Sequence, residues 1–193
     1  MIFFGHEGPV LGAAWLGYRA TRNNNNLPAL VKPLARLFKG GFDFRIALIG
    51  AILPDLIDKP LGHLIFKGQI ANGRIFAHTL LFFLILFITG LWLYRRRQKS
   101  WLITLAMASL GHLILDDIWN APVTMFWPLL GWQFPRMELD LFQLAVKILD
   151  VLLHNPVIFF VEMVGFLICL GFFIDLLKRK KVRLFILKGA IDD

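Results

Sequence analysis

Long apolar runs alternate with short basic clusters along this chain, and each run predicts a helix. Residues 2–18 form a first apolar helix with His6 and Glu7 close to its start. Residues 19–45 predict a loop with an Asn23-Asn24-Asn25-Asn26 tract. Within it, Leu30 to Phe38 places Lys32, Arg36 and Lys39 at helical spacing, a small basic amphipathic helix suited to an anionic lipid surface. Residues 45–58 are apolar until Leu53-Pro54-Asp55-Leu56-Ile57-Asp58. That run is shorter than the roughly 20 residues a hydrocarbon core requires, and it predicts a half-span or buried helix broken near Pro54. A polar connection over 59–74 contains His63, Gly62, Gly68 and Gly73.

Residues 75–94 are the clearest spanning helix, apolar except for His78 and Thr79 at its start and ended by Arg95-Arg96-Arg97-Gln98-Lys99. Residues 101–118 return across. Residues 119–135 are an irregular aromatic segment with Trp119, Trp127 and Trp132, of the kind that anchors at a membrane interface. Glu138 to Asn155 is amphipathic, its polar stripe being Asp140, Gln143, Lys147, Asp150 and His154. Residues 156–177 are the last span, carrying Glu162 and closed by Lys178-Arg179-Lys180-Lys181.

Composition agrees with that pattern. The 193 residues are 58% hydrophobic and 18% charged, with mean hydropathy +0.66. A soluble domain has about 45–50% apolar and about 25% charged residues, so the balance is that of a membrane protein. The expectation is one all-α domain over residues 1–193, a multi-pass bundle of about four to five membrane-embedded helices plus amphipathic interfacial helices. The net charge of +8 does not imply nucleic acid, because the cations cluster beside apolar runs as topology signals do. One cysteine, Cys169, excludes an internal disulfide. No cleavable signal peptide is expected, since the N-terminus lacks a basic n-region.

The candidate chemistry gathers around Gly111-His112-Leu113-Ile114-Leu115-Asp116-Asp117. Residues four apart stack on one helical face, so His112 and Asp116 are neighbours that offer two metal ligands from one element. Ionisable groups inside an apolar span cost about 2.5–3.5 kcal/mol each on insertion scales, so three within six residues call for something to bind. His6, Asp55, Asp58 and His78 also stand within or at the ends of apolar runs. Histidine and carboxylate are ligands of zinc and related ions. Asp55, His78, His112 and Asp116 are therefore expected to converge on one divalent ion, zinc first and manganese next. Arg74, four residues before His78, could hold an anionic group bidentately. Asp150 and His154 repeat the four-residue spacing on a polar face that solvation explains.

These residues carry a family resemblance. Gly5-His6, Leu53-Pro54-Asp55 with Asp58, Arg74 through His78-Thr79-Leu80, and Gly111-His112 through Asp116 followed by Trp127-Pro128 resemble the membrane-bound metal-dependent hydrolases, also described as LexA-binding, inner-membrane-associated hydrolases. The likeness covers about residues 5–130 and not the helix and last span at about 138–177. Some members have Asp-x-Asp where this chain has Asp55 and Asp58, so Asp55 transfers more directly. A looser likeness runs to zinc-dependent phospholipase C and single-strand nucleases. It implies that Asp55, His78, His112 and Asp116 surround one metal and that Asp116 with His6 reaches a second. The further histidine cluster of those enzymes has no clear match here.

The function these readings imply is a membrane-embedded metal-dependent hydrolase acting on a phosphoester or related ester at the bilayer surface. In it Asp58 or Glu7 is the general base and Arg74 holds anionic oxygens. The alternatives are a metal-stabilised scaffold or regulator-binding protein and, third, a divalent-ion carrier. Expected partners are membrane lipid and a lipid or phosphoester substrate, with no nucleic acid. The expected location is a prokaryotic inner membrane. If five segments alternate across it, the connections 19–45, 95–99 and 178–183 hold fifteen Lys and Arg, whereas 59–74 and 119–155 hold five. The richer set faces the cytoplasm, which puts every proposed ligand at the extracytoplasmic rim.

Overall fold

A computed structural model describes residues 2–23, 42–66, 70, 72–136 and 141–192. The tract from Asn24 and the basic helix expected at Leu30 to Phe38 lie outside these residues, as does Asp140. Among the described residues the structure is all-helical. The main helices are α1 (Phe4–Asn23), α2 (Phe44–Pro60), α3 (Leu80–Arg97), α4 (Trp101–Leu115), α5 (Pro122–Met125), α6 (Leu141–His154), α7 (Pro156–Lys178) and α8 (Val182–Lys188). Of these, α7 alone is both long and apolar enough to cross a membrane by itself; α4 is apolar but shorter.

Helix boundaries correct the sequence expectations in four places. Helix α1 continues to Asn23, so Arg19–Asn23 is helix rather than loop. Helix α2 does not break at Pro54: it runs on to Pro60 and widens into a π-helical turn, Leu61–Ile65. A proline within a helix deprives the carbonyl four residues earlier of its donor. Here that carbonyl is Gly50, and the Ser109 hydroxyl on α4 donates to it at 3.1 Å. Helix α3 begins at Leu80 rather than Ile75, capped by Thr79, whose hydroxyl accepts from the Phe82 amide at 3.0 Å. Helix α8 lies beyond any segment the hydropathy pattern marked.

Contacts fix the helix directions. Tyr18 meets Phe44 at 5.6 Å between ring centroids, so the end of α1 lies at the start of α2 and the two run antiparallel. Helices α3 and α4 form an antiparallel hairpin through Gln98, which adopts the left-handed conformation (φ 54°). Helices α2 and α4 run parallel, with Gly50 against Ala108 and the Leu105 carbonyl. Helices α1 and α7 also run parallel, from Phe4–Phe166 through Trp15–Phe172 to the Arg19–Asp175 ion pair. They approach closely at Gly8 and Gly165, where a Cβ on Gly8 would lie 2.3 Å from the Gly165 Cα. The Glu162 carboxylate of α7 accepts from the amides of Ile2 and Phe3, serving main-chain donors that open α1.

These directions gather the starts of α1 and α3 and the ends of α2 and α4 at one end of the bundle. At the opposite end Leu11, Phe42, Phe44, Ala47, Phe172, Leu176 and Ile191 form an apolar core. The molecule buries His6, Glu7, Asp58, His78, His112 and Glu162 while exposing Ile85, Ile88, Trp92, Phe160 and Leu167 on its outer faces. On α6 the apolar Val146, Leu149 and Leu153 are exposed together with the polar Gln143, Lys147, Asp150 and His154.

Candidate metal centre

The loop before α3 is built by side chains from other elements. The Asp58 carboxylate, wholly buried at the end of α2, accepts from the amides of Ile75, Ala77 and His78 at 2.8–3.1 Å. Asn72 accepts from the Arg74 amide and donates to the Pro135 carbonyl. Phe76 packs edge-on against Trp127 and Phe134, so the aromatic segment supports this loop as well as exposing Trp132 and Leu129. His63, buried beneath Gly73, is held below its ordinary pKa by burial first and by the charge of Lys59 second.

His78 and His112 point at each other. His112 Nδ1 lies 2.6 Å from the Ala51 carbonyl, and His78 Nδ1 lies 2.8 Å from Asp58 Oδ2. A carbonyl only accepts, and Asp58 already accepts three main-chain amides, so both Nδ1 atoms are donors. In the neutral form each Nε2 presents a lone pair inward, and the two stand 3.3 Å apart with both rings wholly buried. Asp116 Oδ2 lies 3.6 Å from His78 Nε2 and 3.9 Å from His112 Nε2. Asp55 Oδ1 lies 3.7 Å and 3.9 Å from the same two nitrogens. Where both imidazoles are neutral, their lone pairs and the carboxylate oxygens repel one another at these distances, and a cation among them, whether a metal ion or a proton on one Nε2, removes the conflict. A tetrahedral ion with bonds of 2.0–2.1 Å has ligand–ligand edges of about 3.3 Å. These buried donors could therefore hold a metal ion.

A second group adjoins the first. The His6 ring stacks on His112 at 4.1 Å, and its Nε2 lies 3.2 Å from Asp116 Oδ1. That approach is out of line for a hydrogen bond, so both ring nitrogens of this buried histidine lack such a partner among the described residues. His6, Asp55 and His112 form one set of converging ligand atoms, and His78, His112 and Asp116 another. Asp116 faces both ways, Oδ1 to His6 and Oδ2 to the histidine pair.

Beside the cluster an open cleft of about 420 Å³ is lined by Arg74, Asp116, Asp117 and Asn120 and by Val157, Ile158 and Val161 of α7. Arg74 Nη2 pairs with Asp116 Oδ2 at 2.8 Å, and Lys59 Nζ with Asp55 Oδ2 at 2.5 Å. Asp117, left-handed at φ 51°, ends α4 with its side chain exposed at the cleft.

The structure thus brings together His6, Asp55, His78, His112, Asp116 and Arg74. Two candidates stand apart from the roles first expected of them. Asp58 meets the cluster only through His78, its oxygens taken up by four donor groups. Glu7 is buried with neither oxygen hydrogen-bonded among the described residues, on a side of α1 within electrostatic reach of the Cys169 thiol on α7. His154 and Asp150 pair with each other at 2.9 Å, about three-quarters and two-thirds exposed. Ser109, Lys59 and Asn72 were missed by sequence reasoning. For Ser109 a signal existed, because Pro54 implies an unserved carbonyl that a hydroxyl on a facing helix can take.

Among the described residues the fold is all-helical, with one helix long and apolar enough to cross a membrane and a buried histidine–carboxylate cluster that could hold a metal. The profile described as YdjM inner membrane protein matches residues 9–182. The chain belongs to that family of inner membrane proteins. No curated protein and no solved structure matches it.

Proposed function

We propose that the chain is a multi-pass inner membrane protein whose metal centre, at the extracytoplasmic rim, hydrolyses a phosphoester or related ester presented by the bilayer. The observation that carries the reading is the pair of Nε2 lone pairs held 3.3 Å apart between two carboxylates, beside a cleft edged by an arginine. Five helices running alternately, with apolar side chains outward and ionisable ones inward, support a bundle solvated by lipid. The cluster lies at helix ends, as an interfacial enzyme requires and a mid-membrane carrier does not.

In this reading Asp55, His78, His112 and Asp116 hold an ion, zinc or manganese, and His6 extends the donor set through Asp116. A bound ion supplies Lewis acidity, bringing the pKa of water towards about 7 and stabilising charge on a phosphoryl oxygen. The chain's own groups do the rest. Asp58 and the Ala51 carbonyl fix the tautomers of His78 and His112. Arg74, with guanidinium donors beyond the one on Asp116, draws the anionic oxygens of the substrate into the cleft. Valines of α7 exclude water from one wall.

The test is metal content after purification without added metal, paired with hydrolysis of a panel of phosphodiester lipids. Retained zinc or manganese and turnover that a chelator abolishes are expected. Metal-loaded protein that turns over none of the panel would overturn the hydrolase reading and leave a metal-stapled scaffold.

A further inference from the structure

We propose that the groove between α1 and α4 holds one acyl chain of a phospholipid whose phosphate lies against Arg74; both ends rest on the membrane-embedded bundle proposed above, and neither requires turnover. The groove is an apolar cavity of about 390 Å³ lined by Pro9, Ala13, Ala47, Met107, Ala108 and Leu115, among others. Small residues make the room: alanines on three helices leave a channel that larger side chains would fill. It follows α4 from Ile103 to Leu115, about 18 Å at 1.5 Å per residue, close to the roughly 15 Å depth of one leaflet of a 30 Å hydrocarbon core.

Further features select a lipid as occupant. Leu115 lines both this groove and the polar cleft, so the groove ends one side chain from the cleft and its charged rim. Gly111 keeps the passage open near the rim, where a Cβ would crowd Val10 at 3.0 Å. The groove also opens sideways, with Met107 and Ile114 exposed on its outer lip, so a chain enters from the bilayer without leaving hydrocarbon. At the rim Arg74 offers the positive charge that a phosphodiester head requires.

The experiment uses the full chain in vesicles of phosphatidylethanolamine and phosphatidylglycerol containing a phosphatidylglycerol with a diazirine midway along one chain. Cross-linked residues are mapped by mass spectrometry. Labelling at Met107, Ile114 and the α1 wall is expected to exceed that at Ile88 on the outer face of α3 several-fold. Ala13→Phe, and separately Met107→Trp should the first variant misfold, should lower groove labelling several-fold without changing labelling at Ile88. Arg74→Ala should lower it for the phospholipid probe and not for a diazirine diacylglycerol. Equal labelling all round the bundle, or groove labelling indifferent to both filling substitutions, would overturn the proposal. The readout needs no turnover, so an inactive protein that still labels in the groove refutes the hydrolase reading alone.

Discussion

Replacing Asp58 by asparagine separates two roles for a residue that the sequence offers as a general base. In the structure Asp58 Oδ2 accepts from the Ile75 and His78 amides and from His78 Nδ1, and both oxygens share the Ala77 amide. Asparagine keeps its oxygen at the Oδ2 position in its better orientation, and its amide then faces the Ala77 N–H donor to donor. The remaining bonds lose their charge. A hydrogen bond to a charged group is worth about 1.5–3 kcal/mol and a neutral one about 0.5–1.5 kcal/mol, so each loses about 1 kcal/mol. Three weakened bonds and one donor–donor contact give about 3–5 kcal/mol.

For a chain of this size that lowers the unfolding midpoint by on the order of 10 °C. His78 also loses the carboxylate that fixes its tautomer, and losses of this kind typically cost about 10–100-fold in metal affinity. Thermal unfolding in detergent, with zinc titrated against a competing chelator, measures both. Asp58→Asn with unchanged midpoint and zinc affinity but no turnover would refute the positioning role and return Asp58 to the chemistry as a base.

Three other outcomes follow from the same geometry. His112→Ala should lose metal and any hydrolysis, whereas His154→Ala, altering a solvated pair, should retain both; equal metal loss, measured by elemental analysis, would bring α6 into the site. Gly8→Ala should unfold at lower temperature, because its Cβ would lie 2.3 Å from the Gly165 Cα, while Gly171→Ala, with nothing within 4 Å, should not. In a Cys169→Ala background, single cysteines at Asn24, Gln98 and Gly131 probed in intact cells with an impermeant reagent should label at position 131 only. Labelling at 98 and not at 131 would invert the bundle and put the site in the cytoplasm.

Much of the site was legible because its strongest signal is local. His112 and Asp116 are one helical turn apart, and that spacing survives any tertiary arrangement. Asp55, His78 and His6 were legible for another reason: each is an ionisable residue in or beside an apolar run, where burial demands a partner. Supporting groups were less visible. Lys59 reads as an ordinary helix-end cation, yet it neutralises Asp55. Asn72 reads as a loop residue, yet it ties the Arg74 amide to the Pro135 carbonyl across 63 positions of sequence. Glu7, offered as a general base, is buried with neither oxygen hydrogen-bonded among the described residues and lies within electrostatic reach of Cys169 on α7.

The mistaken break at Pro54 shows how the fold makes the site. Taken alone, a proline in mid-helix costs a hydrogen bond and argues for an end or a kink. Helix α4 supplies what the proline removes, Ser109 donating to Gly50, and one turn on His112 adds a second bond to the Ala51 carbonyl. Those bonds join α2 to α4 along adjacent carbonyls. The second also fixes the proton on His112 Nδ1 and leaves Nε2 bare towards His78. A register slip of α4 by a single residue would therefore leave the Gly50 carbonyl without its donor and turn His112 away from the cluster in the same movement. Packing register and ligand orientation are one constraint here, and Pro54 helps to set it.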